Sequence, residues 1–124
     1  MKTVLLLLAL VFAGPAHAGA GAADHDEPGP DDGPPFFGFV KDVSGVPVRD
    51  ARVTATHKNV SFMANTNATG GYRFNVFAKN VNPDEVVISC AKEGYRQARV
   101  FRYPLAKGKP VKSVETECRL QRQN

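Results

Sequence analysis

The chain of 124 residues contains no tryptophan, two cysteines, two methionines and three tyrosines. Its three histidines and two cysteines do not form the close Cys/His sequence pairs that a structural zinc site requires. Neither GxxxxGK[ST] nor GxGxxG occurs, so the two common phosphate-cradling loops are excluded. No helical stripe runs beyond two turns, and that absence points away from α and α/β classes. The one long apolar run, Val4 to Ala13, is ten residues, too short to cross a bilayer.

That run follows Lys2 and precedes Gly14-Pro15-Ala16-His17-Ala18. A positive head, a short apolar stretch and a small-x-small site are the marks of a secretory signal peptide, here residues 1–18. The mature protein is therefore expected to be exported, periplasmic or extracellular, and not membrane-spanning. Residues 19–35, "GAGAADHDEPGPDDGPP", hold no large apolar side chain. Such a segment cannot bury surface and reads as a disordered acidic leader. From Gly33 onward 15 basic side chains face 7 acidic ones, a net of +8. A basic body suits an anionic or protein partner, an envelope polymer among them. Nucleic acid is not expected for an exported chain.

The body, 36–121, has the period-2 alternation of half-buried strands, with 122–124 as a tail. Strands are expected at Phe36–Asp42, near 51–56, near 60–65, around Tyr72-Phe74-Val76, at Val86-Ile88-Cys90, at 97–103 and at 111–120. Gly70-Gly71 suits a tight hairpin between the third and fourth. Pro47 lacks an N–H and belongs at an edge or connection. Seven short strands with regular turn signals make a β-sandwich of about 85 residues.

The stretches "GFVKDVSGVPVRDARVTA" (38–55), "TNATGGYRFNV" (66–76) and "VVISCAKEGY" (86–95) resemble the carboxypeptidase regulatory-like domain. The matching positions are Gly38, Val40, Asp42, Gly45, Pro47, Ala51, Val53, Gly71-Tyr72 and Gly94-Tyr95. The resemblance implies a seven-stranded, transthyretin-like (Ig-like, prealbumin-type) β-sandwich. It also implies an accessory module without catalytic residues or cofactors. Since no enzyme domain accompanies it, whatever it assists is expected to be a separate molecule.

Chemistry-bearing constellations are sparse. His57 sits in the polar "THKN" and is expected in a solvent-exposed turn, not in a triad. The chain ends "CRLQRQN", without the Tyr-Arg-Gly-Ser of hydroxyisourate hydrolases, and the body has too few histidines for an intradiol dioxygenase. Asn59 and Asn67 begin glycosylation sequons. The stretch "YRQARVFRY" (95–103) interleaves arginines with aromatics, a combination that recognition surfaces use. Strand geometry puts Arg99, Phe101 and Tyr103 on one face, and Arg96 and Arg102 on the other. The bland alternative is a charged edge strand that deters edge-to-edge pairing. Arg99, Phe101 and Tyr103, with Arg73 on the polar side of its strand, are the candidate binding residues. The main expectation is a non-enzymatic accessory module for binding or structural support in the envelope. A carbohydrate- or anionic-polymer-binding protein and a small hydrolase of unrecognised type are the alternatives. A metal site arises only if cleavage falls after Ala22. Ala23-Asp24-His25 would then offer an amine, two amides and a histidine to Cu(II) or Ni(II).

Cys90 and Cys118 share strand phase with apolar neighbours, so both sulfurs should point inward. In an oxidising compartment they are expected to form a disulfide.

Overall fold

Alternating side chains build strands wherever both faces of the ladder find a home. The computed structural model describes residues 29–123. The expected signal peptide, the first part of the expected leader and Ala23-Asp24-His25 lie outside the described residues. The strands are β1 (Phe36–Asp42), β2 (Arg52–His57), β3 (Val60–Asn65), β4 (Gly71–Phe74), β5 (Val86–Ala91), β6 (Tyr95–Arg102) and β7 (Val114–Arg122). One turn of 3-10 helix, Pro83–Glu85, precedes β5, with the Asn82 side chain capping it. The described residues are otherwise all-β.

The strands form two sheets, ordered β4-β1-β7-β6 and β3-β2-β5. β1 runs antiparallel to β4 but parallel to β7, while β6 is antiparallel to β7. β2 lies antiparallel between β3 and β5. Inward residues of both sheets make one core. Phe36, Val40, Val114, Cys118 and Leu120 come from one side, and Val53, Ala55, Val86, Ile88 and Cys90 from the other. Burying each large side chain contributes about 1.5–3 kcal/mol. Cys90 and Cys118 are bonded, with Cα atoms 6.4 Å apart. The bridge joins β5 of one sheet to β7 of the other, as the inward phase of both cysteines predicts.

Two polar side chains close the fold from within. Thr66 Oγ1 donates to the Val48 carbonyl (2.6 Å) and accepts from the Ala51 N–H (2.9 Å), fixing the passage from β1 to β2. Tyr72 reaches across β1 and donates to the Thr116 carbonyl on β7 at 2.6 Å. It can do so because Gly38 has no side chain: a Cβ there would collide with the Thr116 carbonyl and sit 2.9 Å from the tyrosine oxygen. Burial pushes the Tyr72 phenol well above its usual pKa, although the hydrogen bond to Thr116 and the charge of Arg102 oppose that rise.

Several expectations are corrected. β3 and β4 belong to different sheets, so the segment between them is a crossover and not a hairpin. Of the glycine pair only Gly70 has positive φ (77°), and Asn67 Oδ1 clasps the turn by accepting from Thr69 and from the Gly71 N–H. Val76 is exposed, because β4 ends at Phe74. Phe77 takes the inward place instead and packs edge-on against Phe36 and Phe62. Residues 31–35 are not free leader. Gly33 N–H donates to Phe77 O, Lys79 N–H to Asp31 O and Val114 N–H to Pro35 O. Those bonds use only backbone groups, which a count of apolar side chains does not register.

Candidate functional site

Partners across a β ladder project to the same face, so register identifies the outer surface of the four-stranded sheet. Phe101 pairs with Glu117, Arg99 with Arg119, and Lys41 with Arg119. Phe37 pairs with both Arg73 and Glu115, and Tyr103 N–H donates to the Glu115 carbonyl. Inward neighbours on β1, β4 and β7 are buried in the core, whereas on the edge strand β6 the inward Val100 stays 36% exposed. The other face therefore presents Phe37, Phe39, Phe101 and Tyr103 among Lys41, Arg73, Arg99, Arg119, Glu115 and Glu117.

β6 is an edge of this sheet. Phe101 and Tyr103 are 38% and 41% exposed, and their rings meet edge-to-face at 5.0 Å. The Arg99 guanidinium lies 5.2 Å from the centre of the Phe101 ring. Val43, Ala98, Arg99, Phe101, Tyr103, Glu117 and Arg119 line an open hollow of about 420 Å³. The structure thus brings Arg99, Phe101 and Tyr103 together. Arg73 is on the same sheet face but on the opposite edge strand, where it lines a second depression with Phe37 and Phe39. Three strand spacings, about 14 Å, separate the two edges.

Arg96 and Arg102 do not behave alike. A bulge between Gln97 and Arg99 adds one residue to β6. Arg96 consequently pairs with Gln121 and comes to the outer face with Arg99, contrary to a strict alternation. Gln97 turns inward, and its Oε1 accepts from the Cys90 N–H at 2.8 Å. Arg102 stays on the inner side and is half-buried. It donates to the carbonyls of Pro83 (2.8 Å) and Val86 (2.9 Å) and to Thr116 Oγ1 (3.2 Å), tying β6 to the start of β5 in the other sheet.

Electrostatically the hollow is uneven. Glu117, whose side chain is 15% exposed, pairs with Arg119 at 2.8 Å and Lys41 at 3.4 Å. Burial pushes its carboxyl up, but the hydrogen bond from Arg119 and the charges of Arg119 and Lys41 together hold it below the usual range. Arg119 also donates to the Asp42 carbonyl. Among the described residues Arg99 has neither an acid partner nor a hydrogen bond from its guanidinium.

His57 is placed differently from its expected exposed turn. It is the last residue of β2, its side chain is 18% exposed, and its Nε2 lies 3.1 Å from Glu85 Oε2. An acid therefore stands beside the histidine, but no serine, threonine or cysteine is hydrogen-bonded to it among the described residues. The pair joins β2 to the 3-10 turn. No helix among the described residues is long and apolar enough to cross a membrane, and no group of three His, Cys, Asp or Glu there could hold a metal ion. Comparison with known proteins finds no matching family model, no similar curated protein and no similar solved structure.

Proposed function

We propose that this chain is an exported, non-enzymatic binding module with a transthyretin-like β-sandwich, of the type its sequence resembles in carboxypeptidase regulatory-like domains. Two facing sheets of four and three strands, joined by a disulfide, support the fold assignment. The apolar segment near the N-terminus and the disulfide support export. One observation carries the binding reading: the outer face of the four-stranded sheet holds four aromatic side chains among cations, next to an open hollow at its β6 edge. Aromatics interspersed with arginine are the composition of recognition surfaces. In this reading Arg99, Phe101 and Tyr103 contact the partner, and the core and disulfide hold the strand that carries them.

The test is a thermal-shift panel of envelope polymers, glycans and anionic polymers on the full chain. A ligand of the folded state raises the melting temperature. The Phe101→Ala/Tyr103→Ala variant should keep its own melting transition and lose the shift. A shift that survives this double substitution would place binding elsewhere and remove the basis of the reading.

A further inference from the structure

Register sets Lys41, Arg119 and Arg99 abreast on three neighbouring strands, each directly opposite the next. Like charges in that arrangement are mutually unfavourable. A single carboxylate, Glu117, lies among them and bonds to two of the three. That leaves the row with a net charge of +2, and the bulge brings Arg96 to the same face two register positions further on, opposite Gln121. The row adjoins the exposed rings of Phe101 and Tyr103.

This pattern is complementary to one kind of chemistry. The excess positive charge asks for an anion. The exposed rings offer an apolar platform on which the C–H face of a pyranose can lie. Glu117 is an acceptor placed between donors, so the ligand should carry hydroxyl groups as well as negative charge. The phosphates of a nucleic-acid backbone have no donors to offer Glu117 and would be repelled by it and by Glu115. An acidic sugar has a carboxylate for the cations, hydroxyls for the glutamate and a ring for the aromatics. The hollow, about 420 Å³, lies within the range of small-ligand clefts.

We infer that the Lys41–Arg119–Arg99 row, with Phe101 and Tyr103 beside it, binds a uronic-acid unit of an acidic oligosaccharide. This rests on the reading of the outer sheet face as a binding surface and names its ligand class. Arg99, the guanidinium without an acid partner, takes the carboxylate, and Phe101 supports the ring.

Titration calorimetry of the full chain with trigalacturonate, maltotriose and an oligonucleotide of similar charge tests it. Trigalacturonate should bind, more weakly as ionic strength rises, and maltotriose should not. Arg99→Gln should weaken binding about tenfold or more, as loss of a charge-assisted hydrogen bond does. Phe101→Ala should weaken it about fivefold. Arg52→Gln, at an exposed position of β2 in the other sheet, should change nothing, and all three variants should keep the parental melting temperature to within a few degrees. Equal binding of maltotriose, lost with Phe101→Ala, would overturn the acidic-sugar inference and leave the binding face standing. Tighter binding of the oligonucleotide would do the same. Trigalacturonate binding indifferent to both Arg99→Gln and Phe101→Ala, or no binding of it at all, would overturn the inference outright.

Discussion

Breaking the Cys90–Cys118 bond should remove a large part of the protein's stability without changing its folded contacts. The two residues are separated by 28 positions. The loop they close costs the unfolded chain, in the chain-entropy relation, about 3.6 kcal/mol at 25 °C when the cross-link is present. Domains of this size have about 5–15 kcal/mol in all. Both sulfurs are buried, so the reduced thiols stay within the core and the packing loss is small. Reduction is the cleaner perturbation, because Cys90→Ala/Cys118→Ala also empties the space the sulfurs fill. The assay is urea unfolding followed by far-ultraviolet circular dichroism, with and without a reductant, and with thiol alkylation to confirm the redox state. At a slope of roughly 1.5 kcal/mol per molar urea, the midpoint should fall by about 2 M. The melting temperature should fall by roughly 15–30 °C. Coincident unfolding curves for the oxidised and reduced proteins would refute the reasoning.

Other substitutions probe the polar ties. Gly38→Ala should cost about 2–3 kcal/mol by driving a methyl into the Thr116 carbonyl and the Tyr72 hydroxyl, read as a lowered midpoint in the same assay. Arg102→Met should cost a similar amount, about 2–3 kcal/mol, because two carbonyls and Thr116 lose their donor; an unchanged midpoint would show the latch to be idle. Glu117 has a lowered carboxyl pKa in the fold, so its contribution is present above the ordinary carboxylate range and is lost as pH falls through the depressed value. Glu117→Gln should therefore cost about 0.5–1 kcal/mol at neutral pH and progressively less in acid, measured as midpoint differences across a pH series.

The strand pattern was legible because it depends on side chains two apart. β1 occupies Phe36–Asp42 as read, and the buried set Val114, Thr116, Cys118 and Leu120 follows the alternation in β7. The disulfide followed from there being two cysteines, from the expected oxidising compartment and from the inward phase of both residues. Three features were hidden for identifiable reasons. The bulge near Ala98 inserts one residue and reverses the faces of everything before it, so Arg96 was placed on the wrong side; nothing in "RQAR" announces it. The change of sheet between β3 and β4 is a matter of tertiary packing, and a glycine pair serves a crossover as well as a hairpin. The roles of Arg102 and His57 depend on meeting Pro83, Glu85 and Val86, residues that come close only once the two sheets face each other. In the candidate site, period-2 spacing identified Arg99, Phe101 and Tyr103. The contributions of Lys41, Glu117 and Arg119 required the order of the strands. The alternating Glu115, Glu117 and Arg119 on the polar side of β7 were the available sequence signal.

The parallel pairing of β1 with β7 has a mechanical consequence. The chain enters this pair at the Phe36–Val114 end and leaves it at Arg122, at the opposite end of a strand of nine residues, roughly 30 Å away. A pull on the two termini of the domain therefore slides β1 along β7 and loads their hydrogen bonds together. Peeling them one at a time would need far less force. Were that pair to give way, the Cys90–Cys118 bond would still hold residues 91–117 out of the extending chain. Under such a load the fold would therefore lengthen by only part of its contour when it yields.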